Sequence, residues 1–177
     1  MTLFDFLGIL SLFLFVLFVF LSSRYNGFIK LKNQVEEDFA DIDIQLQRRS
    51  DLIGQLIEVV KGYAKHEKTV FKEVTELRSK MSTEQSVSQL AQFEKQTVPL
   101  VGTISALAEN YPDLKANKSY QLLMENMKQT ENSIAEFRKE YNTSVKKFNS
   151  SLQTFPNSVA KNVFGFTYAE FFSFNES

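Results

Sequence analysis

The chain has 177 residues, with 20 Lys and Arg against 21 Asp and Glu, a single histidine and no cysteine. That is room for one modest globular domain beside a membrane anchor. The lack of cysteine excludes zinc ribbons, iron–sulfur clusters, thiol enzymes and lipoprotein attachment, and a net charge of -1 speaks against a nucleic-acid binder, which carries a basic excess on one face.

The first element is apolar. From Leu3 to Leu21 the only charge is Asp5, and helical residues rising about 1.5 Å each make this stretch long enough for the roughly 30 Å hydrocarbon core. Leu3, Phe6, Phe13, Phe15, Phe18 and Phe20 supply its bulk. A cleaved signal peptide needs basic residues before the apolar run and a small residue at the cleavage position, where Phe20 or Leu21 stands here. Neither is present, so residues 1–24 are expected to be an uncleaved transmembrane anchor in the lipid bilayer. Arg24, Lys30 and Lys32 follow the span, and the positive-inside rule then puts the amino terminus outside and the body in the cytoplasm. The opposite, extracytoplasmic placement of the body is the alternative.

Beyond the anchor, apolar residues recur in steps of three and four at Phe28, Leu31, Val35, Phe39, Ile42, Leu46, Ile53, Leu56, Val60, Tyr63, Val70, Val74, Leu77 and Met81, with Arg49 and Glu67 at two places where the stripe should continue. A repeat near 3.5 residues describes one seam of a long helix packed in coiled-coil fashion. Gly27, Gly54 and Gly62 are its weak points. Ser50 is suited to cap a helix starting at Asp51, which predicts a kink or a restart there.

Ser82 and Thr83, with Glu84 and Gln85 behind them, form the next expected helix start. The apolar set Val87, Leu90, Phe93, Leu100, Ile104 and Leu107 follows, with Pro99 expected to kink or restart the helix. "ENYPDLKANKS" reads as a loop, because Pro112 pushes Tyr111 out of the helical region. A further long helix is patterned by Leu123, Met127, Ile134, Phe137, Tyr141, Val145, Phe148 and Leu152 and ends before Pro156. Strand signals are absent. The expected fold is all-α: a transmembrane helix continuing into, or followed by, an antiparallel bundle of long helices over 25–154, then a short helix and an aromatic tail over 155–177.

The segments "NQVEEDFADIDIQLQRRSDLI", "VKGYAKHEK", "ENYPDLKAN", "TENSIAEFRKEYN" and "FPNSVAKNVFGF" together resemble the LemA family of bacterial membrane-anchored helical proteins. The resemblance implies an amino-terminal membrane helix, an antiparallel helical body, an outward amino terminus and a cytoplasmic body. It implies no activity. Gly54 departs from the proline that members commonly carry.

Chemistry is sparse. A bundle di-metal site needs a Glu-x-x-His pair on each of two helices, yet the single histidine, His66, has Tyr63 three positions before it. No nucleophile–base pair or phosphate loop is visible, so neither an enzyme nor a cofactor is expected. Lys61, Lys65, Lys68 and Lys72 share one face of a continuous helix, a stripe for an anionic partner or lipid, or a solvated face paired with Glu58, Glu67, Glu73 and Glu76. Arg48, Arg49 and Asp51 interrupt the seam and are expected to meet Glu131, Asn132, Arg138 and Asn142 in a polar network that fixes register.

Gly165 is expected to cap a short helix over Ser158–Phe164. Phe164, Phe166, Tyr168, Phe171, Phe172 and Phe174 then either close the end of the bundle or contact another molecule. These features describe a non-enzymatic scaffold or interaction protein of the bacterial envelope, expected to form a homo-oligomer because anchoring concentrates its copies. The rivals are a membrane-shaping coat and an adaptor of an unidentified membrane or envelope protein, such as a protease or transporter.

Overall fold

Every regular element among the described residues of the computed structural model is a helix. The structure describes residues 3–64, 68–80 and 86–173, apart from the side chains of Leu3, Phe6, Lys68, Thr69, Arg78 and Lys80. Helix α1 (Leu3–Tyr63) holds 61 residues. It is followed by α2 (Lys68–Lys80), α3 (Val87–Glu109), α4 (Pro112–Lys115), α5 (Lys118–Gln153) and α6 (Asn157–Phe164).

The expected restart at Ser50 does not occur, since α1 passes through it unbroken. Ser50 is buried and lies between the seam residues Leu46 and Ile53. A cap there would interrupt a buried stripe in order to gain about 1 kcal/mol. Gly54 also retains the amide that a proline would lack, so the bond back to the carbonyl four residues earlier is available. The helix ends just beyond Gly62, the exposed glycine of that stretch, so it does not reach Met81. Pro99 likewise lies inside α3 and does not restart it. Hydroxyls serve the carbonyls around it: Thr97 Oγ1 donates to the Phe93 oxygen at 2.7 Å, and Thr103 Oγ1 to the Pro99 oxygen at 3.1 Å.

The expected helix start at Ser82 and Thr83, with Glu84 and Gln85, lies outside the described residues, and so does Met81. Helix α3 begins at Val87, where Ser86 Oγ accepts from Gln89 N and Gln89 Oε1 accepts from Ser86 N at 2.8 Å. That reciprocal pair satisfies two amide donors that a helix start leaves open. Tyr111 is non-helical, as expected before a proline, but the predicted loop contains the single turn α4 with Pro112 at its first position, where a missing amide costs nothing.

The chain forms two compact units. The first comprises Met1–Glu37 with Thr143–Glu170, the second Asp38–Asn142 with Phe171–Ser177. Within the second unit, α1 buries Ile42, Leu46, Arg49, Ile53, Leu56 and Val60, in steps of four and three. Helix α5 buries Leu123, Met127, Thr130, Ile134 and Tyr141, and α3 buries Leu90, Phe93, Thr97, Leu100 and Ile104. The rings of Phe39 and Tyr141 lie 5.8 Å apart, and Asn117 Nδ2 donates to Tyr63 Oη at 2.9 Å. Residue numbers therefore rise along α1 as they fall along α5, and the two helices are antiparallel. Both contacts share one register, 39 with 141 and 63 with 117, a constant sum of 180.

In the first unit Phe28 is buried, and its ring is 5.1 Å from that of Phe166. Phe166 also meets Tyr25 at 6.0 Å and Phe148 at 6.4 Å. Helix α6 ends at Gly165, whose φ of 71° is in the left-handed region. The prediction of a cap at this glycine holds, with the helix starting one residue earlier than Ser158. No heavy atom lies within 4 Å of a Cβ built there, so the cost of a side chain is conformational alone. Gly165→Ala is expected to lower stability by about 1 to 2 kcal/mol, measured by urea unfolding of the full chain in detergent.

Candidate functional site

One cluster of charged groups stands out from the apolar packing of the second unit, and it is built by helix seams. Arg49 takes a seam position of α1 and is only 1% exposed. In the register above it is level with residue 131 of α5, and Glu131 is one of the charges acting on it. Glu94 of α3 is also buried, and its Oε1 is 3.6 Å from Arg138 Nη1. Arg49 Nε and Nη1 and Glu94 Oε2 are buried without a hydrogen-bond partner. Attraction between these charges is therefore spread over the group instead of resting on one short bond.

The electrostatics follow from burial. Desolvation lowers the Arg49 pKa from its ordinary value, against the pull of Glu131 and then Glu94. Desolvation likewise pushes the Glu94 carboxyl up, opposed by Arg138 and Arg49 and assisted by Glu131. Burial disfavours the charged form of both, and the opposite charges nearby offset only part of that effect.

The expected register network is only partly assembled. Arg49, Glu131 and Arg138 belong to this cluster, but Arg48 and Asp51 point to solvent on α1 and Asn132 is exposed on α5. A helix seam faces inward only every third or fourth residue, so neighbours at 48 and 51 turn away from a buried position 49. Glu94 escaped the sequence reading. Its signal was its place beside Phe93 in the apolar stripe of α3, where a charged residue needs a partner.

Asn142 has a different role from the one expected. Its Nδ2 donates to the Phe172 oxygen at 3.0 Å and its Oδ1 accepts from Phe172 N at 2.9 Å. In the first unit Asn149 treats Ala169 in the same way, with both bonds at 2.9 Å. Each asparagine amide pairs with a peptide unit as a second strand would, so it reads backbone and not side chain. Asn149, one heptad after Asn142, was not singled out from the sequence.

These bonds dock the tail within the chain. Phe172 is buried, Phe164 and Phe166 are half-buried in the ring cluster, and Tyr168 and Phe171 remain exposed. Phe174 lies outside the described residues.

The lysine stripe is not a single helix face, because Lys61 lies on α1 and Lys72 on α2, with the helix break between them. Lys61 pairs with Glu58 at 2.7 Å and Lys72 with Glu76 at 3.7 Å. Lys65, His66 and Glu67 lie outside the described residues, as does the side chain of Lys68. Surface pairs of this kind contribute under about 1 kcal/mol each.

In the apolar stretch of α1, Phe13, Phe15 and Phe18 are more than half exposed and Val19 nearly half, and no part of the apolar window is buried within the fold. Phe20 lies under the Arg24 guanidinium at 5.0 Å from its ring centre. The side chains of Leu3 and Phe6 lie outside the description, though both residues are helical. Helix α1 is thus long and apolar enough to cross a membrane.

The sequence model described as the LemA family matches residues 38–177. The magnetosome protein MamQ of Magnetospirillum gryphiswaldense is 24% identical over 193 residues, covering 94% of this chain and 70% of its own. The magnetosome protein MamQ 2 of Paramagnetospirillum magneticum is 22% identical over 175 residues, with 84% and 64% covered. Protein LemA of Metamycoplasma hominis is 26% identical over 160 residues, with 84% and 73% covered. The chain thus spans between 64% and 73% of the length of these relatives.

Proposed function

Because the chain belongs to the LemA family, we propose that it is a non-enzymatic interaction protein, held in a bacterial membrane by residues 3–21 and assembling there with copies of itself. The supporting observation is that one helix, α1, carries both the exposed apolar stretch and the buried seam of the helical body. Anchoring of that kind restricts orientation and raises the effective concentration of each copy, so weak lateral contacts suffice. Arg24, Lys30 and Lys32 favour a cytoplasmic body.

The test is the mass of the full chain in mild detergent, measured by light scattering corrected for the micelle, beside that of a chain beginning at Tyr25. The full chain is expected to form a discrete oligomer, and the shortened chain a monomer. Monomers in both cases overturn self-assembly, and crosslinking in native membranes would then identify the partner of an adaptor.

A further inference from the structure

The first unit contains apolar side chains that its fold leaves uncovered. Phe155, in the turn after α5, is 85% exposed; Val159 and Val163, on α6, are 59% and 65% exposed. The three are spaced four residues apart, so Val159 and Val163 share a face of α6. It is not the face that holds buried Ala160 and the half-buried ring of Phe164.

Their position along α1 is fixed by contacts within the same unit. Phe148 of α5 lines a cleft with Lys32 and Val35. The Phe164 ring at the end of α6 is 5.1 Å from that of Tyr25. The chain therefore passes from the level of Lys32 at Phe148 to that of Tyr25 at Phe164. Tyr25 is four residues beyond Leu21, where the apolar run stops, which is about 6 Å along a helix. The headgroup layer on each side of a bilayer is of similar depth, roughly 5 to 8 Å. Arg24 over Phe20, and Lys161 Nζ 4.1 Å from the centre of the Tyr168 ring, give this region the cation and aromatic pairing suited to a membrane boundary.

We propose that α6 is an interfacial helix that rests on the bilayer surface through Phe155, Val159 and Val163. The proposal rests on the reading of residues 3–21 as a membrane span, and its occupant is the same bilayer continued sideways from that span. It gives the body a second lipid contact, one that limits how far it can tilt about the anchor. The lysine stripe is not required for it.

The sequence contains no tryptophan, so Phe155→Trp gives emission from one known site. The full chain carrying it would be reconstituted into phosphatidylcholine vesicles, with quenching by lipids brominated high on the acyl chain compared with quenching by acrylamide in water. Val98→Trp, at an exposed position of α3, is the reference. Bromolipid quenching is expected to be at least twofold stronger for Phe155→Trp than for the reference, and acrylamide quenching weaker. Val163→Trp is expected to behave in the same way and serves if the turn does not tolerate tryptophan. Emission open to acrylamide and unaffected by bromolipid overturns the proposal. Shielding from both quenchers also overturns it, since a protein surface then covers the stripe. Failure of the chain to float with vesicles overturns the anchor together with the proposal, whereas flotation without bromolipid quenching overturns the proposal alone.

Discussion

Arg49→Ala is expected to destabilise the second unit by about 3 to 5 kcal/mol, the cost of removing one partner from a buried charge cluster. The residue is almost wholly enclosed at a seam position, so the change both empties a volume and strips Glu94 of one of the two cations that oppose its desolvation. Arg49→Met keeps the length of the stem and separates the two effects. The double variant Arg49→Met, Glu94→Leu is expected to regain most of the loss, because it removes the charges together and leaves apolar groups in their place. Urea unfolding of the full chain in detergent, followed by helical circular dichroism, measures all three.

The same cluster sets a pH dependence. Burial, the leading influence, raises the Glu94 pKa above its unfolded value. The native state therefore holds this proton more tightly than the unfolded chain does, and the associated stability is present below the unfolded glutamate pKa, near 4.3. It is lost as pH rises through the folded pKa. Unfolding midpoints measured upward from pH 4 should fall for the parent relative to Glu94→Gln, which has no proton to lose. A flat difference between the two would mean that Arg138 and Arg49 balance desolvation, and a parent that gains with pH would mean that they outweigh it.

Phe28→Ala is expected to cost about 3 to 5 kcal/mol in the first unit, as for other fully buried aromatic rings. Phe28 is 2% exposed and meets Phe166, which in turn meets Tyr25 and Phe148. Its loss removes support for the tail ring as well as for the helix seam. Chymotrypsin should then cut first at Phe166 or Tyr168, ahead of sites in α5. Leu122→Ala, at an exposed position of α5, should remain within about 0.5 kcal/mol of the parent and show no new cleavage. Equal effects of the two changes would remove the aromatic cluster as the source of tail docking.

Local signals were read well where packing agreed with them. Gly165 caps α6 because the left-handed turn favours glycine in any context, and Tyr111 leaves the helix because a proline follows. They were misread where a local preference of about 1 kcal/mol opposed burial. Ser50 caps nothing because the seam around it is buried. Pro99 restarts nothing because Leu90, Phe93, Leu100 and Ile104 hold α3 on both sides of it. The lysine stripe was drawn on a helix that stops at Tyr63, so its continuity did not survive the break.

That the protein is helical, that its first apolar stretch is long enough to span a bilayer, and that its helices bury stripes spaced three and four residues apart can all be read from the order of amino acids. Those properties are periodic along the chain, and hydropathy and spacing record them without reference to any partner segment. Three further features come from the packing of distant segments: Arg49 feels the charge of Glu94, Asn142 and Asn149 hold the tail by its backbone, and Phe155, Val159 and Val163 are left exposed. Each depends on which turns of distant helices come level with one another. A difference of one residue in that register would rotate each contact to another face.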